Sequence, residues 1–94
     1  MARDQELVSC PKSTWTQITN SDVTAITFQV RGGAVQIRFT TDDTEPGAGE
    51  KGLIYGPGEG QVMKEMADVT ALSGAARVWA RPCGADSEVF VDHA

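Results

Sequence analysis

Basic residues are scarce in this chain: eight lysines and arginines stand against thirteen acids, for a formal net charge of −5. Neutralising a phosphate backbone takes a cationic face. Eight scattered bases cannot assemble one, so nucleic acid is not expected as a partner. Histidine occurs once, as His93, and cysteine twice, as Cys10 and Cys83. That inventory contains no CxxC or HxxxH spacing for zinc. A Ser-His-Asp or Cys-His arrangement would have to use His93, at the frayed end of the sequence. No catalytic residue, metal or cofactor is therefore expected. No apolar run approaches the ~20 residues needed to cross a bilayer. The opening Met1-Ala2-Arg3-Asp4-Gln5-Glu6 also lacks the apolar stretch of a secretory signal. The expectation is a protein with no membrane partner, made in a cytoplasm or exported within something larger.

What is present is alternation. The 94 residues, 40% hydrophobic and 22% charged, suit one folded domain over residues 1–94. Ile26, Phe28 and Val30 alternate with polar residues, as do Val35, Ile37 and Phe39, on either side of Arg31-Gly32-Gly33. Two such runs around a Gly-Gly turn predict a β-hairpin with these apolar side chains buried together. Residues 13–19 form another β-branched run anchored by Trp15 and Ile18. Residues 6–10 predict a short edge strand ended by Pro11, and residues 52–55 a short strand. In residues 61–70, Val62, Met66 and Val69 fall at helical spacing, so a short helix fits slightly better than a strand. Residues 76–81 and 87–92 alternate again and read as two strands joined by Cys83-Gly84-Ala85-Asp86. The sum is an all-β chain: a small antiparallel β-sandwich or barrel of six to seven short strands, with at most one short helix.

Residues 46–60 hold six glycines and two prolines in fifteen positions. With the polar run before them they predict a long exposed loop at about 41–52, where ligands are most often bound. Asp42, Asp43, Glu45 and nearby Tyr55 are its binding candidates. Four carboxylates between Asp42 and Glu50 could attract a hard cation, but the spacing is not that of an EF-hand. A solvated acidic loop that deters strand pairing is the expectation. If oxidised, Cys10 and Cys83 would close a loop worth about 4–5 kcal/mol. Without a signal peptide, two free thiols are expected. The glycines after Tyr55 lack the Lys-Ser/Thr of a phosphate-binding loop.

Alternation also places Trp79 with Arg77 and Arg81, opposite Val78 and Ala80, and Phe90 opposite Val89 and Val91. If the two strands pair, one face carries Trp79 and Phe90 flanked by arginines. Either that face takes a partner, since Trp and Arg are common interface anchors, or the sheet packs on both faces inside one subunit.

Several segments together resemble the small virion structural proteins of tailed bacteriophages. They are Trp15-Thr16-Gln17-Ile18-Thr19-Asn20 leading into Ala25-Ile26-Thr27-Phe28-Gln29, the Tyr55-Gly56-Pro57-Gly58 turn, Arg77-Val78-Trp79-Ala80-Arg81, and Val89-Phe90-Val91-Asp92-His93-Ala94. The resemblance implies a compact β-protein synthesised in a bacterial host cytoplasm, built into a phage or prophage virion in many copies. Head decoration and tail component are both open. It implies self-association as a homo-oligomer and docking onto other virion proteins, and it brings no catalytic residues. An alternative of another class is a small β-sandwich that holds a glycan or host-surface ligand through Trp15, Trp79 or the 41–60 loop.

Overall fold

A computed structural model of the chain describes residues 3–93. The opening Met1-Ala2 and the closing Ala94 lie outside them. Eight strands form: β1 (Glu6–Cys10), β2 (Thr16–Gln17), β3 (Ala25–Val30), β4 (Val35–Thr40), β5 (Leu53–Tyr55), β6 (Gly60–Glu65), β7 (Arg77–Pro82) and β8 (Ser87–Asp92). A single helical turn, α1 (Met66–Val69), follows β6. The strands make two four-stranded antiparallel sheets, β1-β8-β3-β6 and β2-β7-β4-β5. The architecture is the expected all-β sandwich, and not a closed barrel.

Alternation sets what lies between the sheets. Val8, Cys10, Ile26, Phe28, Val30, Val89 and Val91 from one sheet meet Val35, Ile37, Val78 and Ala80 from the other in one buried cluster, closed by Ile18 and Met66. Phe39, expected among them, is only half-buried at the margin. The ring of Phe28 meets Tyr55 edge-on, with centroids 5.1 Å apart, a favoured aromatic geometry.

The expected β3–β4 hairpin does not form. β3 lies between β8 and β6, while β4 lies between β7 and β5 in the opposite sheet. Residues 31–34 pass from one sheet to the other as an arch, with Arg31 and Gly33 exposed. The Arg31 and Gly32 N–H groups donate to the carbonyl of Glu88 at 2.9 and 3.3 Å. Ser87 Oγ donates to the carbonyl of Gly33 at 2.6 Å. A Cβ on Gly32 would stand 2.7 Å from Ser87 Oγ. Gly32 thus serves close approach to β8, and the described glycines with positive φ are Gly58 and Gly74 instead. β7 and β8 are likewise split between the sheets, so they do not pair either. Strands consecutive in the chain share a sheet only at β4 and β5, joined by the 41–52 loop.

Residues 60–65 are a strand where the spacing slightly favoured a helix, and the helical turn comes only after them. Gly60 runs so close to β3 that an added Cβ would lie 1.9 Å from the carbonyl oxygen of Phe28. The β3–β6 register then slips between Ile26 and Phe28. Met63 takes φ +44° there, and its N–H donates to Thr27 Oγ1 at 2.8 Å. This bulge breaks any period of two and leaves Val62 80% and Met63 61% exposed.

Candidate functional site

The sandwich has two outer faces, and they are finished differently. On the β2-β7-β4-β5 sheet, Arg38, Thr40, Arg77, Trp79 and Arg81 point away from the core, which is the face the alternation of residues 76–81 foretold. The chain's own 41–52 loop lies against it. Trp15 Nε1 donates to the Gly47 carbonyl at 3.2 Å. Arg81 Nη1 donates to Ala48 O at 2.7 Å and its Nη2 to Glu50 O at 2.8 Å. Arg38 Nη1 donates to Lys51 O at 2.6 Å, and its Nη2 pairs with the Glu50 carboxylate at 2.7 Å. The Arg81 guanidinium also stacks 4.5 Å above the Trp15 ring centroid. Pro46 is the buried residue of this loop. A glycine-rich loop suits the role because its carbonyls, free of bulky side chains, can reach a row of guanidinium donors.

The 41–52 loop is exposed, as expected, with most of its side chains in water, while its backbone is tied to the sheet. One expectation is corrected: Trp79 and Phe90 do not share a face, because β7 and β8 lie in different sheets. Trp79 is only 5% exposed, and its indole N–H donates to Thr40 Oγ1 at 2.9 Å. Arg77 is held by Asp22 Oδ1 at 2.7 Å and Gln17 Oε1 at 2.8 Å. Trp15, at 4% exposure, is as covered as Trp79, so neither offers a ring face for stacking a sugar.

The loop candidates do not converge. Asp42 Oδ1 accepts the Thr44 N–H at 2.9 Å, and that bond holds its carboxyl below the usual range. Asp43 and Glu45 are exposed, and Glu50 is taken by Arg38. Among the described residues no three His, Cys, Asp or Glu side chains are grouped to hold a metal ion. Tyr55 turns inward against Phe28, and its hydroxyl accepts from Gln61 Nε2 at 3.4 Å. A concavity of about 530 Å³ between Thr24 and residues 65–75 holds one ionisable side chain, Glu65. Cys10 is buried and Cys83 exposed, both as free thiols. Burial, and then the nearby Glu88 carboxylate, push the Cys10 thiol up to about 11.

The other outer face, on the β1-β8-β3-β6 sheet, stays open. Leu7 stands across from Phe90, and Phe90 across from Gln29. Leu7 is 50% exposed, and Phe90 half-buried between its neighbours. Ser9, Glu88 and Gln29 on this face are exposed, and Thr27 and Asp92 half-buried. At its β6 margin the bulge adds Val62 and Met63. Of the four interface candidates, Phe90 alone lies on the open face. Leu7 and Val62 were missed by sequence reasoning, although the alternation of Leu7 with Val8 carried the signal. No protein-family model, curated protein or solved structure matches the chain.

Proposed function

We propose that this protein is a non-enzymatic structural module of a tailed-phage or prophage particle, a head decoration or tail component, that docks in many copies through its open sheet face. The observation that carries the proposal is the asymmetry between the faces. The chain's own loop lies across the Arg38 and Arg81 side of one, leaving Ile54 exposed at its β5 edge. The other displays the Leu7–Phe90 pair, with Val62 and Met63 beyond β3 at the β6 margin. Apolar side chains grouped on an otherwise polar surface mark interaction sites. The sequence resemblance supplies the setting.

The size of the face fits repetition better than a lone tight complex. Four strands about 4.8 Å apart and six residues long at about 3.3 Å each present roughly 400 Å². A stable pairwise interface buries about 800 Å² on each partner. A single contact would be weak, and an array of identical sites would strengthen it through effective concentration. Self-association through a Trp79/Phe90 face has no such face to use. The chemistry-bearing side chains also fit a passive module, since Arg38, Arg77 and Arg81 are spent on the chain's own packing.

Density-gradient fractionation of particles released from the source cells tests this reading. The chain should band with the particles at a fixed ratio to the main shell or tube protein. Leu7→Ser should shift it to the unbound fraction. A wild-type chain found wholly in the soluble fraction would overturn the proposal.

A further inference from the structure

We infer that the occupant of the open face is a basic protein surface, one that sets an apolar side chain between two lysines or arginines, and is not a second copy of this chain. The inference rests on the docking role proposed above and names the chemistry of the partner. Along β8, Glu88, Phe90 and Asp92 alternate with the buried Val89 and Val91, so the phenyl ring stands between two carboxylates on one outward row. Same-face residues repeat every ~6.6 Å, which places the two acids about 13 Å apart. Glu65, opposite Ala25 on β6, adds a third carboxylate at the margin. The nearest cations are Arg31, just past the end of β3, Lys64 next to Glu65 on β6, and Arg3, whose guanidinium is held by Glu6 and whose carbonyl accepts the His93 N–H. Among the described residues none of them pairs with Glu88 or Asp92. β1 contributes only Leu7 and Ser9 to the face.

Neither Glu88 nor Asp92 makes a side-chain hydrogen bond or ion pair among the described residues. That sets them apart from the covered face, where Arg38, Arg77 and Arg81 are all engaged. A second copy brought face to face would oppose its own Glu88 and Asp92 to these, and like charges juxtaposed across an interface are costly. A partner with cations at that spacing would pair both carboxylates while its apolar group meets Leu7 and Phe90. An extended segment of the pattern Lys-Ser-Phe-Ser-Lys has that geometry, because positions two apart share a side.

The test uses three blocked synthetic peptides, Lys-Ser-Phe-Ser-Lys, Glu-Ser-Phe-Ser-Glu and Lys-Ser-Gly-Ser-Lys, titrated into the isotope-labelled full chain and followed by amide chemical shifts. The lysine–phenylalanine peptide should shift amides of β1, β8 and β3. Binding should weaken about fivefold in the double variant Glu88→Gln, Asp92→Asn, and not in Asp43→Asn, Glu45→Gln, which removes the same charge elsewhere. The other two peptides should bind several-fold more weakly. Equal or tighter binding of the glutamate peptide on the same strands would overturn the charge assignment and leave the docking face standing. Failure of all three peptides to shift residues around Leu7 and Phe90 would overturn the docking face itself. A dimer seen by sedimentation equilibrium that dissociates on Leu7→Ser would make the occupant a second copy and overturn the inference.

Discussion

Replacing Arg81 with alanine should unfasten the 41–52 loop. The guanidinium makes two bonds to loop carbonyls, at 2.7 Å to Ala48 and 2.8 Å to Glu50, and one stacking contact with Trp15. Hydrogen bonds from charged donors contribute about 1.5–3 kcal/mol each when desolvated. Arg81 is half-buried, so about 1 kcal/mol each is the better figure after screening. A cation–π contact at a partly exposed site adds about 0.5–1 kcal/mol. The sum, about 2–3 kcal/mol, should lower the melting temperature by about 8–24 °C in a domain of this size. The chain should still fold, since stabilities of about 5–15 kcal/mol are usual. Guanidinium melts followed by tryptophan fluorescence give the free energy, and amide exchange at Glu50 and Gly52 reports the loop. Arg81→Lys should recover little, because a point ammonium cannot span two carbonyls as a planar fork does. A loss below about 0.5 kcal/mol, with exchange at Glu50 and Gly52 unchanged, would refute the idea that this side chain holds the loop.

The arch between β3 and β4 makes neighbouring glycines unequal. Gly32→Ala should destabilise by about 1–3 kcal/mol, because its Cβ would meet Ser87 Oγ at 2.7 Å and the backbone of Glu88 at 3.1 Å. Gly33→Ala, with nothing within 4 Å, should be neutral or slightly stabilising in thermal melts. Equal losses at the two positions would contradict the arch. The buried Cys10 thiol, raised to about 11, stays protonated in the folded chain after an unfolded thiol has begun to ionise. Folding stability should therefore be fully present below about pH 8.5–9 and fall as pH rises towards about 11. Cys10→Ala should remove that part of the decline in denaturant melts. A thiol reagent at pH 8 should modify Cys83 quickly and Cys10 only on unfolding.

Alternation told which side of each strand is buried, and it told this correctly for Ile26, Phe28, Val30, Val35, Ile37, Val78, Val89 and Val91. It could not tell which strand lies beside which. A hairpin and an arch bury the same residues on β3 and β4, and the choice between them rests on backbone angles at Gly32 and Gly33 and on how closely Ser87 approaches. The same ambiguity set Trp79 and Phe90 on one face, when the crossing from β7 to β8 puts them on opposite sides of the sandwich. The need to cover Arg77, Trp79 and Arg81 was legible. For Arg81 the cover itself was not, because the loop contributes backbone carbonyls, and carbonyls leave no mark on composition. Residues 61–70 misled for a local reason: one bulge at Val62 and Met63 spoils the period of a strand without supplying that of a helix.

Hydroxyl-radical footprinting of the native chain, read residue by residue by mass spectrometry, tests the unequal faces most directly. Tryptophan is intrinsically far more reactive than leucine, so exposure alone can reverse their order. Trp15 and Trp79, at 4% and 5% exposure, should be protected, while Leu7 at 50% and Met63 at 61% are oxidised. Rapid oxidation of Trp79 beside a protected Leu7 would mean that the covered and open faces have been assigned the wrong way round.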